Sequence, residues 1–225
     1  MKSFLGLSFI LLFAFILFSC DILDPEEDPN ELGGDVNMPL SQVGNTASAS
    51  FFVGDPDNYA NDVDVSAVIR SNNNGIVDVK LTADLSKYPE IYNLIPERSK
   101  AGNGKVVAGL KFKMTTEGWQ DFFFNKDGAA HTMFKYDCKV GDKYSYTQSD
   151  GKTITRTVIA KSEEEDFDYG LWLIKTITIE QNSITPGIKK YIYRANHRFG
   201  LVYFEAILED GSSTGGYIFT KYDNG

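Results

Sequence analysis

Nonpolar and polar side chains alternate with a period of two residues in several segments of the chain after residue 62. The clearest segment is 105–115, where Val106, Leu110 and Phe112 would face one side and Lys111 and Lys113 the other. This period is typical of β-strands with one buried face. Short turn signals, such as the run at 72–75 (Asn-Asn-Asn-Gly), separate the segments, and no strand–helix alternation of a parallel sheet is present.

The alternation predicts a mainly β fold, an antiparallel meander of about nine or ten strands. A meander of this length curls into a curved sheet to hide its nonpolar face, as a half-open barrel, a lipocalin-like barrel or a two-sheet sandwich. Leu171–Gln181 starts with nonpolar residues on both faces, which predicts a central strand covered on both sides. Tyr88, Ile91, Tyr92 and Ile95 recur at helical spacing and predict one short helix.

The first twenty residues have the features of an export signal. Lys2 precedes Leu5–Phe18, a nonpolar run of fourteen residues, whereas a membrane-spanning helix needs about twenty. The run ends in Leu17, Ser19 and Cys20, which resemble a bacterial lipobox. We therefore predict a signal peptide at 1–19 and a lipid on Cys20, so that the membrane is a partner of the chain through this anchor.

Negative charge is concentrated after this cysteine. From Asp21 to Ile69 the sequence contains acidic residues but no Lys or Arg. Residues 20–45 also contain prolines and glycines and few large nonpolar side chains, which predicts an acidic disordered tether leading to a single β domain at 46–225. The expected location is the outer membrane. The acidic cluster after Cys20 favours the cell surface, and the periplasmic face is the alternative.

Composition excludes several classes of protein. The chain of 225 residues has 22 basic and 31 acidic side chains, and this balance argues against a nucleic-acid partner. Two cysteines are too few for a disulfide scaffold. The sequence contains no phosphate-binding glycine loop, no Ser-His-Asp order and no metal-spaced histidines, so we expect no cofactor and no enzymatic activity.

The few residues that could act in catalysis or bind a metal ion have surroundings in the sequence that favour structural roles. Cys138 shares a strand face with large aromatic residues, which indicates a small core residue, and His131 would point the opposite way. His197 lies beside a turn. The acidic residues at 55–64 lack the glycine and the final Glu of a calcium-binding EF-hand loop, and 163–166 is expected to be a charged loop.

The C-terminal half resembles a family. The runs at 140–144 (Val-Gly-Asp-Lys-Tyr) and 196–202 (Asn-His-Arg-Phe-Gly-Leu-Val), together with Tyr169-Gly170 and Pro186-Gly187, are similar to strand motifs of uncharacterised Gram-negative lipoproteins. The resemblance covers Phe112 to Ile218. It implies an antiparallel, barrel-like domain, and it lends no catalytic residue.

A curved sheet with one helix over it would form a nonpolar cavity. The expected function is therefore the binding of a nonpolar or amphipathic small ligand, such as a lipid-like molecule, or of a partner. The candidate ligand-binding residues are Tyr88, Tyr92, Leu110, Trp119 and Phe122. The alternative is a structural or glycan-contacting module of the cell surface that has no cavity and uses exposed aromatic residues to contact a surface protein or glycan.

Overall fold

The computed structural model describes residues 28–54, 59–60 and 63–221 of the chain. These residues form mainly β-strands and one short α-helix, α1 (Pro89–Leu94), with single 3₁₀ turns at Pro39–Ser41 and Glu97–Ser99. The strands are β1 (Thr46–Val53), β2 (Tyr59–Ala60), β3 (Val65–Asn73), β4 (Ile76–Asp84), β5 (Lys100–Gly102), β6 (Lys105–Thr115), β7 (Gly118–Asp121), β8 (His131–Lys135), β9 (Lys143–Thr147), β10 (Thr153–Lys161), β11 (Phe167–Tyr169), β12 (Trp172–Ile174), β13 (Ile177–Asn182), β14 (Ile188–Asn196), β15 (Gly200–Leu208) and β16 (Ser213–Lys221).

One antiparallel sheet contains fourteen of the described strands. Its order is β8-β7-β6-β4-β3-β1-β16-β15-β14-β13-β10-β9, with β2 beside β1 and β5 beside β6. Strands that are neighbours in this order are mostly neighbours in sequence, and the pairing of β1 with β16 joins the two halves. The prediction of a mainly β antiparallel meander with one short helix is confirmed.

The two ends of the strand order meet, so that the sheet closes almost completely into a barrel. His131 on β8 lies with its Nε2 3.1 Å from the carbonyl oxygen of Tyr144 on β9. Across the same seam, Arg156 Nη1 on β10 donates to the carbonyl oxygens of His131 and Thr132 at 2.9 and 3.1 Å. Side chains thus join strands that do not form a backbone ladder with each other.

Side chains fill the interior of this barrel. Its core contains large nonpolar residues from nearly every long strand, including Val77, Phe112, Phe134, Ile179 and Tyr193. A second, smaller core lies under α1, where Ile91 packs with Leu85, Val63 and Val106. The helix begins at Pro89, whose missing N–H is harmless in the first turn, and it covers this smaller core.

Residues 28–45 pack on the barrel, which corrects the prediction of a disordered tether over this part of 20–45. Leu32, Met38 and Leu40 are buried. Lys113 Nζ donates to the carbonyl oxygen of Leu32 at 2.6 Å, and Asp35 N donates to Thr116 Oγ1 at 2.9 Å. The few nonpolar residues were too widely spaced to indicate a strand or a helix, but an existing sheet provides the grooves and polar groups that fix them. Residues 1–27, including the predicted signal peptide and Cys20, lie outside the described residues.

The structure of segment 167–174 differs from the predicted central strand that starts at Leu171. Leu171 and Trp172 do not begin a central strand that is covered on both sides. They belong to a separate two-stranded hairpin of β11 and β12, which lies on the outer surface of the barrel. Its nonpolar residues on both faces reflect burial of one face against the barrel and exposure of the other. Among the described residues, no helix is both long enough and nonpolar enough to cross a membrane.

Candidate functional site

The five predicted ligand-binding residues do not line one cavity. Trp119 is 5% exposed and packs against Phe112 and Phe134, with ring centroids 5.7 Å apart in each case. Leu110 is half-buried against the same core. The other candidates lie elsewhere: Tyr88 and Tyr92 pack around α1 in the second core, and Phe122 is half-buried in the loop after β7.

An open cleft lies at the end of the barrel where the chain leaves β7 and where β9 turns into β10. It has a volume of about 270 Å³. The lining residues come from four separate segments of the chain: Arg98, Phe123, Phe124, Asn125, Lys126, Gln148, Asp150, Lys152 and Ile184. This volume is near the lower limit of ordinary small-molecule sites, so the cleft suits a ligand of monosaccharide size.

Two phenylalanines form the nonpolar surface of the cleft. Phe123 and Phe124 are half-buried, and their ring centroids are 4.7 Å apart. Phe124 also packs against Tyr191 of β14, with ring centroids 5.4 Å apart. Because these rings are held by the core, they present a fixed nonpolar face to the cleft.

The rim of the cleft is mainly cationic. Three of its residues, Arg98, Lys126 and Lys152, carry positive charge, and Asp150 carries the opposing negative charge. Lys126 Nζ lies 3.5 Å from Asp150 Oδ2. A hydrogen bond from the backbone N–H of Lys152 is the main cause that lowers the pKa of Asp150, so this carboxylate remains ionised at neutral pH. The net charge of the rim still favours an anionic ligand.

Gln148 supplies an unused hydrogen-bond donor at the cleft. It is 4% exposed, and its Oε1 accepts a hydrogen bond from the backbone N–H of Lys126 at 2.8 Å. This bond fixes which end of the amide is oxygen. The amide Nε2 is buried and has no hydrogen-bond partner in the described part of the chain. An unpaired buried donor is costly, and this nitrogen would gain a partner if the lining of the cleft moved enough to let an acceptor atom of a ligand reach it.

A buried polar network supports the Phe124 side of the cleft from inside the barrel. The Arg156 guanidinium is fully buried, forms an ion pair with Asp121, and donates through Nε to Gln181 Oε1 at 2.7 Å. Tyr193 donates to the same oxygen at 3.1 Å. The Arg156 guanidinium also lies 5.7 Å from the centroid of the Phe124 ring. Burial raises the pKa of Asp121, and the guanidinium acts against that rise.

Sequence reasoning missed this network although a signal for it was present. Arg156 lies on the inward face of β10 in register with Ile154 and Val158, and all three are buried. Gln181 occupies the corresponding inward position after Ile177 and Ile179 on β13. A polar side chain at a core position of an alternating strand indicates a buried hydrogen bond or ion pair, because an unpaired polar group is costly to bury.

The residues considered for catalysis lie in unreactive surroundings. Burial raises the pKa of the Cys138 thiol to about 11, so the thiol is protonated at neutral pH. Burial also lowers the pKa of His131 to about 4, and the charge of Arg156 adds to this effect. Cys138 is buried, as predicted for a core residue, and follows the end of β8, whereas His197 is exposed.

The part of the chain that the structure describes also contains no arrangement of side chains typical of a metal site. No group of three or more His, Cys, Asp or Glu side chains there is arranged to hold a metal ion. Most of the predicted acidic cluster at 55–64 lies outside the described residues. The acidic residues at 163–165 are exposed in the loop before β11, and Asp166 accepts a hydrogen bond from Ser162 Oγ at 2.6 Å.

Comparisons with known proteins add one similarity. Neither protein-family models nor curated protein sequences match this chain. Among solved structures, it is similar to a protein from Bacteroides fragilis described as "a putative exported protein with YmcC-like fold". The TM-score is 0.46 at 10% sequence identity, over 80% of this chain and 97% of that chain.

Proposed function

We propose that this chain is an exported protein, anchored to the outer membrane through a lipid on Cys20, whose barrel domain binds a small amphipathic anion in the cleft beside Phe124. The lipobox-like sequence before Cys20 supports the anchor and the envelope location, on the periplasmic face or the cell surface. The interior of the barrel is filled by side chains. Ligand binding is therefore assigned to the open cleft rather than to an internal cavity, and no enzymatic step is proposed.

The observation that carries this proposal is the unpaired Nε2 of Gln148 in a cleft with a nonpolar floor and a cationic rim. The phenyl faces would pack against a nonpolar surface of the ligand. The amide donor and the lysines would bind a carboxylate or another anionic group that accepts hydrogen bonds. Both a sugar acid and a fatty acid share this chemistry, and the experiment below separates them.

Calorimetric titration of the lipid-free chain, starting at residue 21, tests the proposal with three probes. Glucuronate combines a pyranose ring with a carboxylate, decanoate combines an alkyl chain with a carboxylate, and glucose has the ring without the charge. We expect the two carboxylates to bind and glucose to bind at least tenfold more weakly. The carboxylate that binds more tightly shows whether the ligand is a sugar acid or a fatty acid.

Variants locate the binding site. Lys152→Ala and Gln148→Met should each weaken carboxylate binding by about tenfold, which corresponds to about 1.4 kcal/mol. Lys139→Ala removes an exposed lysine at the opposite end of the barrel and is the matched control, so its affinity should equal that of the wild type. The proposal is wrong if no probe binds at millimolar concentration, or if Lys152→Ala and Lys139→Ala bind equally well.

A further inference from the structure

The hairpin of β11 and β12 exposes three consecutive large nonpolar side chains. Leu171 is 94% exposed, Trp172 68% and Leu173 56%. Trp172 pairs with Tyr169 across a two-residue turn formed by Gly170 and Leu171, and Gly170 adopts the positive φ of 73° that this kind of turn favours. An exposed nonpolar patch of this kind marks an interaction site.

The base of the hairpin is well packed, so its tip is held in a defined position. The hydroxyl of Tyr169 donates to the carbonyl oxygen of Ile218 at 2.6 Å. Phe167 stacks on Tyr217 with ring centroids 5.5 Å apart, and the guanidinium of Arg194 lies 4.8 Å from the centroid of the Phe167 ring. The exposure of the tip therefore belongs to the folded structure, because half of the hairpin is anchored firmly against the barrel.

The shape of the tip favours a bilayer over a protein as the surface that it contacts. A stable protein interface buries about 800 Å² on each partner, whereas three side chains at a convex turn offer a small area. A bilayer needs no matching pocket. Tryptophan is the side chain that prefers the headgroup level, and leucines favour the hydrocarbon beneath it.

The chain length outside the described residues limits how far the domain can lie from the membrane. Asn30, close to the end of this length, bonds to β8 and β9, whereas the hairpin packs on β15 and β16, so the length sets a distance and does not select the face that meets the membrane. This step rests on the proposed lipid on Cys20. Eight peptide units separate Cys20 from Asp28, the first described residue, and they span at most about 28 Å. Because residues 28–45 are packed on the barrel, the anchor holds the domain within about one domain diameter of the membrane surface.

The charges around the tip select the kind of lipid. The loop at 163–166 contributes Glu163, Glu164, Glu165 and Asp166, and Asp168 lies on β11. The basic groups nearby are fewer: Lys175 follows β12, and Arg194 and Arg198 lie over the Phe167 and Phe199 rings at the base of the hairpin. This acidic surround would be repelled by anionic headgroups. We propose that Leu171, Trp172 and Leu173 insert into the interfacial region of a bilayer of zwitterionic phospholipids.

Tryptophan fluorescence of the lipid-free chain tests this proposal directly, and it is independent of both Cys20 and the cleft. The chain has two tryptophans, and Trp119 is buried, so a change on adding vesicles reports on Trp172. With phosphatidylcholine vesicles we expect a shift of the emission to shorter wavelength and quenching by brominated acyl chains. Adding phosphatidylglycerol at low salt should weaken binding severalfold.

Substitutions at the tip provide the control. The double variant Leu171→Ser and Leu173→Ser should lose at least tenfold in vesicle affinity, whereas Val140→Ser, at another exposed nonpolar position, should bind like the wild type. Sedimentation of the chain without vesicles tests the alternative, in which a second copy of this chain covers the tip. The proposal is overturned if phosphatidylcholine produces no shift, if anionic vesicles bind more tightly, or if the wild type forms a dimer that the tip variant does not form and neither binds vesicles.

Discussion

The buried histidine at the barrel seam makes the stability of the fold depend on pH. His131 is fully buried, and its Nε2 lies 3.1 Å from the carbonyl oxygen of Tyr144. Burial, followed by the positive charge of Arg156, lowers its pKa to about 4. The ring of Tyr146, 5.9 Å away, also faces it. Protonation would thus place a second positive charge beside a buried guanidinium.

The size of the effect follows from the two pKa values. The unfolded chain takes up a proton near pH 6.5, and the folded chain does so only near pH 4. Between these values the unfolded state binds more protons, so the contribution of neutral His131 is complete above pH 6.5 and is lost as the pH falls toward 4. At pH 5 the loss is about 2 kcal/mol in the free energy of unfolding, and below pH 4 it approaches about 3 kcal/mol.

Urea denaturation of the wild type and of His131→Gln at pH 8 and pH 5 measures this loss. Asp121 also has a perturbed pKa, but it is present in both proteins, so the difference between them isolates the histidine. The wild type should lose about 2 kcal/mol more than the variant between pH 8 and pH 5. Equal losses in the two proteins would refute the assignment of His131 as a neutral, buried group.

Three further predictions concern the barrel itself. Gly216→Ala should destabilise the fold by about 2 kcal/mol or more, because its Cβ would lie 1.9 Å from a backbone oxygen of β1, whereas Gly109→Ala, with no atom within 4 Å, should change stability by less than about 1 kcal/mol in urea denaturation. Arg156→Met should cost about 3 kcal/mol or more by leaving the Asp121 carboxylate buried without its partner, and adding Asp121→Leu should recover part of that loss in the same assay. The Cys138 thiol should react with a disulfide reagent far more slowly in the native lipid-free chain than in urea, because its pKa is about 11; equal rates would contradict its burial.

The regular part of the fold could be predicted because long strands repeat one pattern. On β6, nonpolar residues at alternate positions are buried or half-buried while Lys105 and Lys111 are exposed, as the alternation predicts. β1 was missed because its first residues are Thr, Ala and Ser, whose hydrophobic contrast is small. The shortest strands, such as β5 and β11, contain too few positions to display any period.

Other errors arose where tertiary contacts decide the outcome. The nonpolar run at 171–174 is consistent both with a strand covered on two sides and with a hairpin that exposes one side, and sequence periodicity does not distinguish them. The cleft assembles Arg98, Phe124, Gln148 and Ile184 from distant segments, and only the closure of the barrel brings them together. Of the predicted ligand residues, Phe122 is the nearest to it in sequence.

A chemical-shift map of the isotopically labelled, lipid-free chain, titrated separately with glucuronate and decanoate, tests the assignment of the cleft most directly. We predict saturable shifts of the Gln148 side-chain amide and of the backbone amides of Phe124 and Lys152, with the amides of Tyr88 and Tyr92 unchanged. Arg98, which lines the cleft just after α1, should shift with the cleft. Shifts confined to Tyr88, Tyr92 and their neighbours would instead place the ligand at the helix. Such a result, or no shifts with either probe, would contradict the cleft as the binding site.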